Sequence, residues 1–302
     1  HPSMSIPEMM RILMDDYNYS WEKAWEITIK VFAYTNHTIM AEALEKWSVD
    51  LFAPILPRIY TIIREINNRF CQYCNEIGAA SDLESMSIIH NNMIRMANLC
   101  IVGSYNVNGV SGLHTDILKA DTFEAFNRIY PGKFNNVTNG IAHRRWLGQA
   151  NPELTNYLNG LLGGDFIKDL SNIEELLKYA DDKTVLADLE KIKYTKKEQL
   201  AKYIKDANGI NVDINSIFDV QVKRLHEYKR QLLNALHIVY LYRQIKFNGL
   251  RPRPRTFIFA AKASSGYVMA KNIIKFICTL SEMIEADPLV RDYIKVVFLE
   301  DY

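Results

Sequence analysis

The sequence predicts an α/β protein in which helices flank a parallel sheet. Segments of strand length and helix length alternate along the last third of the chain. Such alternation is typical of βαβ units, whose strands lie parallel. The loops after parallel strands open at one edge of a sheet, where ligands bind. The expected elements are strand 217–222, helix 228–248, strand 256–261, helix 269–286 and strand 294–299.

The first strand and the first helix of this unit meet at a change of hydrophobic period. Phe218, Val220 and Val222 alternate with polar residues, which is the period of a strand. Beyond them apolar residues recur at helical spacing, so we expect one apolar face of the helix to pack on the sheet. The residues assigned to that face are Leu233, Leu236, Val239 and Tyr240, widened by Leu232, Ile238 and Leu241.

A cluster of cations lies at this strand–helix junction. Its members, opposed only by Glu227, are Lys223, Arg224, His226, Lys229 and Arg230. Cations at a helix N-terminus are locally unfavourable, because that end already carries positive partial charge. They make sense where an anion binds, and the carboxyl end of a strand that enters a helix is a typical phosphate site. The alternative interpretation is a solvated charged junction.

The first half of the chain reads as mostly helical, with a polar interruption at Tyr34-Thr-Asn-His-Thr38. A short polar loop held between rigid elements is a reasonable place for a substrate contact, and His37 is the candidate there. A structural histidine is the alternative interpretation.

A second polar joint runs from Phe134 to Trp146 and contains Asn139. We place a domain boundary in this joint, which gives domains 1–138 and 139–302. The Gly-rich run 103–114 before it permits either an ordinary loop or a close approach of the backbone to a ligand.

Composition is that of a globular protein with a substantial core. Of the 302 residues, 48% are hydrophobic and 24% are charged, and the formal net charge is +1. A net charge this small provides no global field for nucleic acid or an anionic membrane, so we expect neither partner. Charges interrupt the longest apolar runs, so the sequence predicts no membrane-spanning helix.

Cysteine usage favours a reducing compartment. Cys71 and Cys74 form a CxxC pair inside a long helical pattern, without a second pair or a nearby histidine pair. We therefore expect helix-surface thiols and no metal site, in a cytoplasmic protein without a signal peptide. The chain starts at His1 close to a helical pattern and ends in a strand pattern, which indicates two cuts inside a larger protein.

Several long motifs resemble the signatures of glycogen (α-glucan) phosphorylases, in the order of that family. The longest runs from Asp219 to Gln231. The others are Tyr34-Thr-Asn-His-Thr38, Glu42-Ala-Leu-Glu45, Asn136-Val-Thr-Asn-Gly-Ile141, Arg144-Arg-Trp146 and Gly266-Tyr-Val-Met-Ala-Lys271. His1-Pro2 and Phe298-Leu-Glu-Asp-Tyr302 fit the family at the two ends, so the resemblance covers essentially the whole chain. The resemblance implies a two-domain Rossmann-like fold of the GT-B glycosyltransferase type, of which this chain is a central fragment.

The resemblance also implies an activity. Phosphorylases are hexosyltransferases that release terminal α-1,4-linked glucose from glycogen, starch or maltodextrin with inorganic phosphate, and they form glucose 1-phosphate. They use pyridoxal phosphate, whose 5′-phosphate takes part in proton transfer to the substrate phosphate. The full-length enzyme is expected to be a cytoplasmic homodimer.

Site residues follow by motif match. Arg224 and Lys229 would bind the substrate phosphate, and Lys223 the cofactor phosphate. Two neighbouring phosphates need several cations to offset their repulsion, which agrees with the cation cluster. Tyr228 would lie near the sugar and the phosphates, and His226 would belong to the hydrogen-bond network that controls access. His37 and Asn139 would contact the glucosyl unit. Trp146 and Tyr302 would line the cofactor pocket.

One departure from the family concerns the cofactor. The lysine that holds it lies in a Gly-Thr-Gly-Asn-Met-Lys motif, which does not occur in this sequence. We therefore expect the 302-residue chain alone to be inactive. One alternative is a non-catalytic phosphate- or nucleic-acid-binding module that uses residues 223–230, although a single basic cluster disfavours nucleic acid. A nucleotide-sugar glycosyltransferase has no support from these motifs.

Overall fold

A computed structural model describes residues 2–164 and 166–300 of the chain. The chain divides into two compact units, residues 1–141 and residues 142–302. Each unit buries its own set of hydrophobic side chains. In the described ranges no helix is both long and apolar enough to cross a membrane.

Helices make up most of the first unit, and local sequence explains where they begin. Ser20 accepts a hydrogen bond from the backbone N–H of Lys23 at 3.3 Å and so caps the second helix. Pro57 starts the fourth helix, at a position where its missing N–H costs nothing. The helices are α1 Ser5–Arg11, α2 Trp21–Val31, α3 Val49–Ile55, α4 Pro57–Glu76, α5 Leu83–Met86, α6 Met96–Val102, α7 Gly112–Ile117 and α8 Glu124–Ile129.

Two of these helices form the centre of the first unit. Every residue of α6 is buried, so this helix is surrounded by the rest of the unit. On α4 the buried residues recur at helical spacing, which makes it an amphipathic helix with one face on the core. Those residues are Ile59, Ile62, Ile63, Ile66, Phe70 and Cys74.

Short strands form two small sheets in the first unit. Their ranges are β1 Ala33–Thr35, β2 Lys46–Ser48, β3 Ile89–His90, β4 Met93–Arg95, β5 Asn106–Gly109 and β6 Phe134–Asn136. One sheet has the order β1-β5-β6 and is entirely parallel. The other has the order β2-β4-β3 and is antiparallel. The three carboxyl ends of the parallel sheet lie at one edge, which is where parallel sheets typically bind ligands.

The second unit contains the parallel sheet that the sequence predicts. Its strands are β7 Ile217–Val222, β8 Arg255–Ala260 and β9 Ile294–Leu299, in the order β7-β8-β9. Both pairings are parallel, with Val222 opposite Ala260 and Ala260 opposite Leu299. The central strand β8 is buried along almost its whole length, as expected for a strand covered on both faces.

Helices cover both faces of this sheet. The helices of the second unit are α9 Pro152–Leu162, α10 Lys183–Asn208, α11 Gln231–Asn248 and α12 Val268–Glu285. Phe257 and Phe259 of β8 pack with buried residues of α11 and α12 on one face. Ile258, which points the other way, packs with Ile204 of α10. The fold class that the sequence predicts, a parallel sheet flanked by helices, is therefore confirmed.

The predicted apolar face of α11 is wrong. The helix buries a different stripe, which consists of Gln231, Ala235, Ile238, Tyr242 and Ile245. Most residues assigned to the predicted face are instead exposed, namely Leu232, Leu233, Leu236 and Tyr240. Apolar residues occur all around this helix, so spacing alone does not select the face that packs against α12 and the sheet.

Two smaller expectations also need correction. The helix predicted to start at residue 228 begins at Gln231, because Glu227–Lys229 form a separate 3-10 turn. Cys74 is not a surface thiol: it is buried on the inner face of α4, and burial raises its pKa to about 11. In the described part of the chain, no group of three His, Cys, Asp or Glu side chains is arranged to hold a metal ion.

Candidate functional site

In the first unit, three loops leave the carboxyl edge of the parallel sheet. Backbone hydrogen bonds between neighbouring loops continue the sheet pairing beyond the strands. Asn36 donates to the carbonyl of Asn108 at 2.9 Å, and Val137 donates to that of Gly109 at 3.1 Å. Asn139 donates to the carbonyl of Val110 at 3.2 Å. The loops that follow β1, β5 and β6 are thus held together as one surface.

His37 lies in the first of these loops and is exposed. It lines a cavity of about 530 Å³ together with neighbouring loop residues and Glu45. The loop is anchored by Asn36, which is 1% exposed. The side-chain oxygen of Asn36 accepts the N–H of Thr38 at 3.0 Å, and its amide nitrogen donates to Tyr34 at 3.0 Å. Sequence reasoning overlooked Asn36, although an asparagine beside a candidate ligand residue is a signal for such an anchor.

Asn139 lies at the same edge, in the loop after β6, and its side chain is exposed. Both residues that the sequence assigns to a sugar are therefore at the carboxyl edge of one sheet. Gly109 makes the close packing of this edge possible, since a Cβ there would lie 2.3 Å from the hydroxyl of Thr115. Gly109 thus allows a close approach between two segments of the chain itself.

In the second unit, the cationic residues lie on one loop, which we call the cationic elbow (residues 223–230). The elbow follows β7 and lies beside the loop after β8. Lys223 donates its backbone N–H to Ala260 at 3.1 Å, and Leu225 donates to Lys262 at 3.2 Å. The side chain of Leu225 is buried, whereas those of Lys223 and Arg224 are exposed. Leu225 thus anchors a loop whose charged side chains face solvent.

Gln231 fastens the start of α11 to the elbow. Its side chain is 1% exposed. Its amide nitrogen donates to the carbonyl oxygens of Lys223 and Arg224, at 3.3 and 3.2 Å. The preceding Arg230 has a left-handed backbone with φ 64°, and no side chain caps the helix. The first turn of α11 therefore keeps N–H groups that side chains do not satisfy, next to the elbow.

His226, Tyr228 and Lys229 form the far side of the elbow. The rings of His226 and Tyr228 are 4.4 Å apart, and His226 also accepts the N–H of Tyr228 through Nδ1 at 3.4 Å. The Nζ atom of Lys229 lies 5.6 Å from the centre of the Tyr228 ring. Tyr267 closes this side by donating its hydroxyl to Glu227 at 2.7 Å.

The cations of the elbow have no carboxylate partners among the described residues. Lys223, Arg224, Lys229 and Arg230 form no ion pair there, whereas Arg255 on the neighbouring strand pairs with Asp219 at 3.0 Å. The acidic residue of the elbow, Glu227, is occupied by Tyr267. Unpaired cations beside free helix N–H groups provide the chemistry that binds a phosphate.

The remaining predicted site residues are not part of the elbow. Trp146 lies on the segment Arg144–Gln149 and is 72% exposed. Tyr302, assigned to the cofactor pocket, lies outside the described residues.

Comparison with known proteins identifies the family of this chain. The carbohydrate phosphorylase family matches residues 1–302, the whole chain. The chain belongs to this family. The family resemblance inferred from the motifs is therefore confirmed.

Curated carbohydrate phosphorylases align along the full chain. The glycogen phosphorylase of Bacillus subtilis is 50% identical over 305 residues, which cover 100% of this chain and 38% of the relative. The muscle form of glycogen phosphorylase from Bos taurus is 45% identical over 314 residues, covering 100% and 37%. The cytosolic α-glucan phosphorylase 2 of Arabidopsis thaliana is 44% identical over 313 residues, again covering 100% and 37%. The chain thus spans less than two fifths of the length of these relatives.

Proposed function

We propose that this chain is part of an α-1,4-glucan phosphorylase. The enzyme would transfer the terminal glucosyl unit of glycogen, starch or maltodextrin to inorganic phosphate, giving glucose 1-phosphate. Family membership and the names of the relatives support the reaction class. The observation that carries the proposal is the cationic elbow, whose cations are unpaired in the described part of the chain.

The elbow suits two phosphates in contact. Arg224 would hold the substrate phosphate through its planar fork of donors, and Lys229 would add a point charge. Lys223, on the other side of Arg224, would bind the phosphate of pyridoxal phosphate. When bound, that cofactor supplies a phosphate that exchanges a proton with the substrate phosphate. Preorganised cations stabilise the charge that develops on phosphate oxygens during such a transfer, because they need no rearrangement as the reaction proceeds.

Side chains that form hydrogen bonds would bind the sugar. His37 and Asn139 both offer hydrogen bonds suited to hydroxyl groups, and both are exposed at one sheet edge. Tyr228 and His226 form a ring pair beside Lys229, where they would flank the sugar and the phosphates and control access to them. Trp146 and Tyr302 would complete the cofactor pocket.

The complete enzyme is proposed to act as a cytosolic homodimer on a glucan and inorganic phosphate, without nucleic acid or membrane as a partner. The Arabidopsis relative is named as a cytosolic form, which supports the compartment. A nucleic-acid-binding module is disfavoured, since the net charge is +1 and the elbow is a single basic cluster.

Replacement of one elbow cation tests this function. In the complete phosphorylase that carries these residues, Lys229→Ala should lower the turnover of glucan phosphorolysis at least about 100-fold and raise the phosphate requirement. Lys275→Ala, an exposed lysine of α12, is the matched control and should leave the rate within about twofold. Glucose 1-phosphate formation at varied phosphate measures both effects. Equal rates for the two variants would remove Lys229 from the active site.

A further inference from the structure

His114 lies on α7, beside the loops that carry His37 and Asn139, and the sequence did not mark it as functional. Its Nδ1 atom accepts the backbone N–H of Val110 at 3.1 Å. Val110 is the first residue after β5, at the carboxyl edge of the parallel sheet. The imidazole therefore fixes the loop at the centre of that edge.

This hydrogen bond determines the protonation of the ring. Because Nδ1 accepts a hydrogen bond from the N–H of Val110, the neutral ring of His114 carries its proton on Nε2. The Nε2 atom is buried and has no hydrogen-bond partner among the described residues. Burial lowers the pKa of His114, and the electrostatic interaction with His37 lowers it further. The hydrogen bond from Val110 thus defines the tautomer of the neutral His114 ring.

The loop held by His114 in turn holds Asn139. The carbonyl of Val110 accepts the backbone N–H of Asn139 at 3.2 Å, so one residue links the imidazole to the predicted sugar contact. His37, the other predicted sugar contact, is near enough to His114 for their charges to interact. His114 is therefore linked through one residue to Asn139 and interacts electrostatically with His37, on the two sides of the proposed sugar-binding edge.

The imidazole of His114 is not needed to start helix α7. Ser111 already caps this helix, since its hydroxyl accepts the N–H of His114 at 3.1 Å. Thr115 adds a second bond by donating its hydroxyl to the carbonyl of Ser111 at 2.9 Å. The helix start is therefore satisfied by neighbouring hydroxyls, and the ring of His114 serves the loop alone.

We propose that His114 is a positioning residue of the sugar-binding edge: its neutral imidazole holds the Val110 loop, and through it Asn139, in the conformation that receives the glucosyl unit. The proposal rests on the proposed function. Protonation of Nδ1 would break the bond to Val110, so sugar binding should weaken as pH falls below the ordinary range of a histidine.

Few other charged side chains lie on the segments that could influence the protonation of His114. The strands β5 and β6, which pack against α7, contain no titratable side chain. The remaining charged groups nearby are His37 in the loop after β1, Asp116 on α7, and Lys119 and Asp121 on the segment Leu118–Thr122. Of these, His37 contributes to the lowered pKa.

Two substitutions separate the roles of the ring. His114→Ala removes the acceptor, whereas His114→Asn places an amide oxygen near the position of Nδ1 but cannot titrate. In the complete phosphorylase, His114→Ala should raise the KM for glucose 1-phosphate about tenfold, as expected for the loss of one positioned hydrogen bond. His114→Asn should restore most of the loss and give a less steep acidic limb of kcat/KM. His90→Asn, on β3 of the other sheet, is the control and should behave as the unsubstituted enzyme.

Ring nitrogen NMR of the 302-residue chain supplies a measurement that does not depend on activity. It should place the proton of His114 on Nε2 at neutral pH. A proton on Nδ1, or an active His114→Ala enzyme with an unchanged KM, would overturn the role of His114 and leave the proposed function intact. Absence of phosphorolysis in the unsubstituted complete enzyme would overturn both. A His114→Asn enzyme as impaired as His114→Ala, with equal thermal stability, would also contradict the acceptor role.

Discussion

At the scale of single residues, an uncharged buried side chain fixes the backbone that carries the elbow cations. Gln231 is buried and donates to the carbonyl oxygens of Lys223 and Arg224. Without it, two carbonyl groups of the elbow would lose a partner at the point where the cations need a fixed backbone. The order of the elbow therefore depends on an uncharged residue at its end.

Gln231→Met preserves the approximate volume of the side chain and removes both hydrogen bonds. We expect a loss of about 1–3 kcal/mol in unfolding free energy, which is the usual cost of leaving buried polar groups unpaired. Amide hydrogen exchange of Lys223 and Leu225, whose N–H groups bond to the last residue of β8 and to the loop after it, should accelerate accordingly. The exposed Gln199→Met on α10 is the control. Unchanged exchange in Gln231→Met would show that the elbow is held without Gln231.

The cations of the elbow were predictable from sequence, and the residues that position them were not. Charges stand out in a sequence because they oppose the helix dipole at a recognisable junction. Gln231, Asn36 and His114 act through tertiary contacts with backbone groups. Their types are common on surfaces, so only the folded chain distinguishes them.

At the scale of elements, the junction between β5 and α7 shapes the proposed sugar-binding edge. Gly109 ends β5 and lies so close to Thr115 that a Cβ would be 3.0 Å from the backbone Cα and N atoms of that residue. A side chain at this point would push α7 away from the sheet. The geometry thus couples the position of the helix to the loop that carries Val110.

Gly109→Ala should destabilise the first unit by about 1–3 kcal/mol, which is typical of overpacking against backbone atoms. Gly112→Ala is the matched control, since no atom lies within 4 Å of a Cβ at that position. Urea unfolding of both variants, followed by hydrogen exchange at Val137, measures the difference. Equal stability of the two variants would show that α7 moves away from β5 without cost.

Element prediction succeeded where strands are long enough to show a period. The strands of the second unit span six residues each, and β7 and β9 have the predicted bounds of 217–222 and 294–299. The strands of the first unit span two to four residues, which is too short for alternation to be read. The buried face of α11 was predicted wrongly, because apolar residues surround that helix and its partners decide which side packs.

At the scale of the whole molecule, positive and negative charges nearly balance, so an excess of positive charge occurs only locally. The net charge is +1, yet the elbow concentrates cations that have no ion-pair partner in the described part of the chain. Long helices such as α10 also carry lysines, among them Lys191 and Lys193, which are exposed along the helix. A specific phosphate site must therefore be distinguished from a general attraction of anions to exposed lysines.

The most direct test of the account is a titration of the 302-residue chain with inorganic phosphate at constant ionic strength, followed by NMR of lysine and arginine side-chain nitrogens. We predict saturable shifts at Lys223, Arg224 and Lys229, and their loss in the double variant Arg224→Ala, Lys229→Ala. Lys191 and Lys193 should show only small, non-saturating changes. Equal and non-saturating changes at the elbow and on α10 would contradict the claim that the elbow is a phosphate site.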